Sequence, residues 1–190
     1  MKKGLLLTIA VLCLSTAYAQ ETIRTGAWEL GVWTGGGFSV PGGTKDTQIM
    51  NAGFRAGKVL TPEVGPGFLR GKFEYAVDGV PVYVVFQKTT VYGAGFNPVV
   101  FKWNFTHGAR RTVPFLELAG GTLFSQSDIP AGTNTVNFTT QAALGAQIFQ
   151  QSKKSINFSV RYMHISNAGL ASPNPGINTV QMQLGLHWWK

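Results

Sequence analysis

The feature that most constrains this chain is an alternation of apolar and polar residues with period two, sustained for ten residues or more in several places. Successive side chains of an extended strand point to opposite faces, so each run reads as a strand with one apolar and one polar face. Around 48–60, Met50, Ala52, Phe54 and Ala56 alternate with Asn51, Gly53, Arg55 and Gly57. Around 136–149, Phe138, Thr140, Ala142, Leu144, Ala146 and Ile148 alternate with Asn137, Thr139, Gln141, Gly145 and Gln147. Runs of the same kind cover 68–77 and 178–188. The pattern predicts strands at 24–38, 48–60, 68–77, 91–105, 112–124, 136–150, 156–166 and 178–188.

A soluble sheet could show the same stripes, but two details favour a membrane. The polar stripe carries Arg, Lys, Glu and Gln in mid-strand, as a small polar lumen requires. The chain also ends in Leu186-His187-Trp188-Trp189-Lys190, which resembles the aromatic-terminated last strand of outer-membrane proteins. Trp188 and Trp189 are both expected in an interfacial belt. Charged residues make up only 13% of the chain, and 24 glycines stand against 9 prolines. That is odd for a soluble globule but ordinary for a barrel that hides apolar surface in lipid. The expected fold is all-β: an eight-stranded antiparallel up-and-down transmembrane β-barrel of the Gram-negative outer membrane. Connections near 61–67, 106–111 and 151–155 are assigned to the periplasm, and those near 39–47, 78–90, 125–135 and 167–177 to the outside. The stretch from Val80 to Gln87 is too apolar for an ordinary loop. Either the third strand runs on past a bulge at Pro81, or the segment lies on the membrane.

The first nineteen residues read as a signal peptide. Lys2 and Lys3 precede an apolar stretch, Leu5 to Leu14, and Ala17-Tyr18-Ala19 offers a cleavage site. Residues 20–190 then form a single barrel domain. Cys13, the one cysteine, lies in the signal, so neither a disulfide nor a cysteine-based metal site is expected in the mature chain. The net charge of +8 falls to +6 once Lys2 and Lys3 are removed. It is open to two readings: attraction to anionic headgroups and lipopolysaccharide phosphates, or solvated and lumenal basic side chains. An exported chain without a basic cluster is not expected to bind nucleic acid.

The seventh strand carries the candidate chemistry. Ile156, Phe158, Val160, Tyr162, His164 and Ser166 share the lipid-facing parity, so His164 and Ser166 point outward near the outer leaflet. Asn178 shares parity with Val180, Met182, Leu184 and Leu186 at the start of the eighth strand. A base, a hydroxyl and an amide thus converge on the external wall, where unpartnered polar groups are costly. Serine needs an adjacent base to become a nucleophile, and the base needs a third group to hold its tautomer. An H-x-S on a strand is by itself an ordinary sequence. His107 reads as a turn residue, His187 as lumenal, and Glu29, Glu74 and Glu117 as lumenal partners of Arg and Lys. Gly35-Gly36-Gly37 and Gly120-Gly121 read as bends or close-packing sites, since no helix follows them.

At this point the sequence resembles a known family. His164-Ile165-Ser166-Asn167-Ala168-Gly169-Leu170, followed by Pro173-Asn174-Pro175-Gly176-Ile177-Asn178, looks like the signature of the outer-membrane lipid A 3-O-deacylases. The resemblance implies an eight-stranded barrel that hydrolyses an ester-linked 3-hydroxyacyl chain of lipid A on its outer wall, without metal or cofactor. It implies Ser166 as nucleophile, His164 as general base, and Asn167 with the backbone near Gly169 as oxyanion hole. The family pattern has a glutamate where this chain has Asn178, and no Asp or Glu follows Asp128. Asn178 is then the third catalytic member, unless Asp128 or Asp46 reaches in from an outer loop. The expected partners are lipid A as substrate and outer-membrane lipids, and the sequence leaves open whether the barrel forms a homodimer. The competing functions are a non-catalytic structural or lipopolysaccharide-binding barrel and a small pore.

Overall fold

The computed structural model describes residues 23–109, 111–151 and 153–190. Eight strands pair each with its chain neighbour: β1 (Trp28–Val40), β2 (Gln48–Val59), β3 (Lys72–Phe86), β4 (Val91–Asn104), β5 (Thr112–Ser125), β6 (Val136–Gln151), β7 (Lys154–Ser166) and β8 (Ile177–Trp189). All pairs are antiparallel, and β8 returns to β1 from Glu29↔Trp189 to Val40↔Asn178. Closure matters energetically, because a lipid-exposed sheet edge would leave a row of backbone groups without partners. The expected signal peptide, residues 1–19, lies outside the described residues.

Alternation sorts the side chains as the period-two pattern predicts. Leu30, Val32, Met50, Phe54, Leu116, Leu118, Leu144, Phe158, Val160, Met182, Leu184 and Leu186 all point outward and are exposed on the bare barrel. A surface this apolar is stable only against acyl chains. The barrel is therefore a transmembrane barrel of the outer-membrane type.

The lumen is filled in three layers. At mid-height Arg55 pairs with Asp78 (Nε–Oδ1 2.8 Å) and with Glu117, and Lys102 Nζ lies 2.8 Å from both Glu29 oxygens. His187 Nδ1 is 2.6 Å from Glu29 Oε1, and Asn104 donates to Glu74 at 2.9 Å. Glu29, Glu74, Glu117 and His187 are thus lumenal, as expected. Toward the outer end the lumen is closed by Ile49, Val85, Val91, Leu123, Met163, Ile165 and Ile177. Toward the other end it is closed by Ile23, Val59, Val113, Phe149 and Trp189. Apolar plugs at both ends oppose a water-filled pore.

Two expectations change. Trp189 is not a belt residue. Adjacent strand residues face opposite sides, so only Trp188 faces lipid, while Trp189 is 1% exposed, tilted against Phe149 at 5.9 Å, with its indole N–H donated to Ser155 Oγ. The third strand also runs beyond the expected 68–77 to Phe86, the first of the two readings left open for Val80 to Gln87, leaving a four-residue connection, 87–90, to β4. Its pairing with β4 shifts register between Val80 and Tyr83 around Pro81, which has no N–H to give a ladder. The glycine run in β1 serves close packing, since a Cβ on Gly37 would overlap the Val180 carbonyl of β8.

Candidate active site

The site is built from the outer end of β7, the start of β8 and two loops. In the β7–β8 pair His164 is directly opposite Asn178. Both project outward by parity, and the imidazole Nδ1 lies 2.6 Å from Asn178 Oδ1. Directly opposed pairs bring Cβ atoms within about 5 Å, close enough for an imidazole and a short amide to meet. Ser166 follows on the same face of β7, opposite Phe138 of β6, and is half-buried. A separation of two residues puts its Cα about 6.5–7 Å from that of His164. The hydroxyl and the ring are not hydrogen-bonded to each other among the described residues; such contacts often tighten only around substrate.

Beyond Ser166 the chain turns sharply. Ala168 (φ 52°) and Gly169 (φ 83°) are both left-handed, and Leu170 N–H closes the turn on the Asn167 carbonyl at 3.0 Å. This is the geometry of a type I′ turn, which glycine accepts at no cost and alanine at about 1–2 kcal/mol. The turn is clasped from inside by asparagines. Asn167 is buried; its Oδ1 accepts from Gly169 N–H at 2.9 Å and its Nδ2 donates to the Ala171 carbonyl at 3.1 Å. Asn167 N–H is in turn donated to Asn174 Oδ1 at 3.1 Å. Both N–H groups expected at an oxyanion hole are thus capped by carboxamides, and Ala168 N–H between them has no partner among the described residues.

The far side of the site is closed by the β1–β2 loop. Asn178 Nδ2 is 3.4 Å from the Pro41 carbonyl oxygen, and Thr44 N–H is donated to the Gly176 carbonyl at 2.8 Å. Gly176 (φ 65°) sits beneath the imidazole, where an added Cβ would stand 2.9 Å from His164 Cε1. Pro41, Asn174 and Gly176 received no role from the sequence. Asn174 and Gly176 lie within the 173–178 stretch that carries the family resemblance, and that membership and its turn-forming composition are their signal. Pro41 lies far away in sequence and reaches Asn178 only because the barrel closes.

Neither Asp46 nor Asp128 pairs with His164; the Nδ1 partner is the amide. His107 lies in the β4–β5 connection, its N–H donated to the Arg70 carbonyl at 3.4 Å. Among the described residues no group of three or more His, Cys, Asp or Glu side chains could hold a metal ion.

The family model described as "Lipid A 3-O-deacylase (PagL)" matches residues 67–187, more than half of the 190-residue chain and the whole of the stretch from His164 to Asn178. Among solved structures, the outer membrane enzyme PagL superposes with a TM-score of 0.59 at 19% identity, covering 82% of this chain and 97% of that one. Neisserial surface protein A gives 0.53 at 12% identity, covering 86% and 97%. The N-terminal β-barrel of Pseudomonas aeruginosa OprF gives 0.52 at 10% identity, covering 87% and 98%. At these identities the structural likeness shows a shared barrel fold. No curated protein sequence matches the chain. Fold and family match together place this chain in the lipid A 3-O-deacylase (PagL) family.

Proposed function

We propose that the protein is a lipid A 3-O-deacylase, a carboxylic ester hydrolase of the Gram-negative outer membrane that is exported with residues 1–19 as a cleaved signal. One observation carries this reading: a histidine hydrogen-bonded to Asn178 at 2.6 Å, with Ser166 two residues along on the same lipid-facing wall.

In this mechanism Ser166 Oγ attacks the carbonyl carbon of the ester-linked 3-hydroxyacyl chain, and its proton passes to His164 Nε2. The tetrahedral oxyanion takes the Ala168 N–H and displaces an asparagine cap from the Asn167 or Gly169 N–H. When the ester C–O bond breaks, His164 returns the proton to the departing sugar oxygen. A water then attacks the acyl-enzyme carbonyl, giving one proton to His164 as the water oxygen bonds to the carbonyl carbon, and the Ser166 ester bond breaks as His164 returns that proton to Oγ. Collapse releases the fatty acid and restores the serine. The substrate arrives laterally, with its acyl chains along the apolar stripe of Val180, Met182 and Leu184.

Asn178 favours a second reading, in which the protein is a structural or lipopolysaccharide-binding barrel without turnover. Replacing the acid of a serine-protease triad by Asn costs about 10⁴ in rate. Mass spectrometry of lipid A from cells expressing the wild type or Ser166→Ala separates the two. Loss of one 3-hydroxyacyl chain with the wild type alone supports the esterase. Identical lipid A from both, with each barrel folded in the outer membrane, supports the second reading.

A further inference from the structure

An amide in the third position raises a problem that a carboxylate does not. A carboxylate offers an acceptor whichever way it is turned. A carboxamide offers Oδ1 on one side and a donor, Nδ2, on the other, and a half-turn exchanges them. If Nδ2 faced the imidazole, Nδ1 would be the acceptor, the proton would move to Nε2, and the nitrogen facing Ser166 could not act as a base. The amide-bearing serine protease loses its rate in this way.

We propose that the Pro41 carbonyl is a positioning element of this site: it fixes the sense of the Asn178 amide and thereby keeps His164 protonated on Nδ1 and basic on Nε2. The inference rests on the esterase reading for its purpose, but its geometry stands alone. Asn178 is largely buried, with Oδ1 2.6 Å from His164 Nδ1 and Nδ2 3.4 Å from Pro41 O. A peptide carbonyl only accepts. Turning the amide over would set Asn178 Oδ1 against the Pro41 oxygen with no proton between them, and bring Nδ2 to the ring. The two contacts are satisfied together in one orientation alone.

Pro41 is held where this requires. The β1–β8 register ends at Val40↔Asn178, so Pro41, the residue that follows β1, falls beside the amide. The Thr44 N–H to Gly176 O bond staples the rest of the loop to the entry of β8. Gly42 (φ 103°) carries the chain away from Pro41 in a conformation that L residues rarely adopt, and a Cβ there would stand 2.7 Å from Asn178 Nδ2. A glycine at 42 is thus what leaves room for the amide in its working orientation.

Gly42→Ala tests this, because the added methyl must push Nδ2 off Pro41. The first readout needs no substrate: the ¹⁵N shifts of the histidine-labelled barrel, at a pH where the ring is neutral, show which nitrogen carries the proton. The His164 signals are identified by their loss in His164→Gln. The expected result is Nδ1–H in the wild type, and Nε2–H or a mixture in Gly42→Ala. The second readout is turnover. Gly42→Ala should lower kcat at least about tenfold with little change in KM. In an Asn178→Asp background, where either oxygen can accept, Gly42→Ala should cost far less. Nε2–H in the wild type, or an unchanged tautomer in a folded Gly42→Ala barrel, would overturn the proposal. Should Gly42→Ala fail to fold, the two Asn178 Nδ2 protons of the wild type decide the matter. Slower water exchange of one supports the Pro41 bond, and equal rates refute it. A wild type with Nδ1–H but no effect on lipid A would remove the esterase and leave the positioning intact. Turnover with Nε2–H would do the reverse.

Discussion

His164 and Asn178 are partners in the β7–β8 register, and their side chains join on the outer wall through a 2.6 Å contact between Nδ1 and Oδ1. The contact leaves Nε2 as the ring nitrogen available to Ser166. Asn178→Ala removes the only partner of Nδ1 among the described residues. A hydrogen bond to a group that becomes charged is worth about 1.5–3 kcal/mol, so kcat should fall on the order of tenfold to a hundredfold. The residue lies at a strand end with its side chain on the outer wall, while its neighbour Ile177 is the one that joins the outer plug. The folded-to-unfolded mobility shift on unheated gels should therefore be unchanged. A wild-type rate in this variant would show that Asn178 does not serve the base.

Gly176 bears on the same histidine from below. In Gly176→Ala the methyl meets His164 Cε1 at 2.9 Å and the backbone holds a φ of 65°. Strain contributes about 1–2 kcal/mol. The larger effect is on turnover, because a displacement of the base by about 1 Å can cost on the order of 10² in rate. Gly132 is the control. Its φ is 79°, but a Cβ there meets nothing within 4 Å. Gly132→Ala should bear strain and keep its activity, and equal losses in both variants would mean that contact with His164 is irrelevant.

The outward parity of His164, Ser166 and Asn178 was legible because period two carries direction as well as secondary structure. Once Val180 and Val160 face lipid, so must the residues that share their parity. The register was legible only roughly: a short connection sets the start of β8 level with Ser166, whereas the structure pairs Asn178 with His164. Pro41 could not be read this way. Its part is played by a backbone carbonyl, and its neighbour lies across the closing pair of strands, so no local pattern marks it. The clasped turn was partly legible: Asn167-Ala168-Gly169 announces a bend, but composition does not reveal that the N–H groups of Asn167 and Gly169 are taken by asparagine side chains. The end of the third strand was left open at Pro81, because an apolar run beyond a proline fits both a bulged strand and a segment lying on the membrane; the register shift in the barrel shows the bulge.

The two C-terminal tryptophans were given one role by their chemistry and take two by their geometry. Trp188 is 41% exposed on the lipid face, and Trp189 is 1% exposed in the plug. Trp189→Ala deletes the contact with Phe149 and leaves Ser155 without its donor. Truncating a buried Trp typically costs about 3–5 kcal/mol. Trp188→Ala loses lipid contacts that other side chains can replace. Urea titrations in detergent should show a large drop in midpoint for Trp189→Ala and a small one for Trp188→Ala. The opposite order would place the indoles the other way round.

The mid-lumen ion network makes the last prediction. Arg55 is enclosed by two carboxylates, with Nε and NH2 at 2.8 and 2.9 Å from the Asp78 oxygens and NH2 3.0 Å from Glu117 Oε1. Arg55→Met strands both acids in a lumen sealed by apolar plugs. Breaking a buried pair by removing one partner costs about 3–5 kcal/mol, mostly as desolvation left uncompensated. Buried Arg161 faces the same two acids. The fourfold change Arg55→Met, Asp78→Leu, Glu117→Leu, Arg161→Met therefore removes the charges together, and such replacements are often neutral or stabilising. Urea midpoints should fall sharply for the single variant and recover in the fourfold one. Arg55 points into the lumen and touches none of His164, Ser166 and Asn178, so deacylation by the single variant, once folded, should match the wild type. A fourfold variant as unstable as the single one would mean that the charges themselves, rather than their mutual compensation, hold the lumen together.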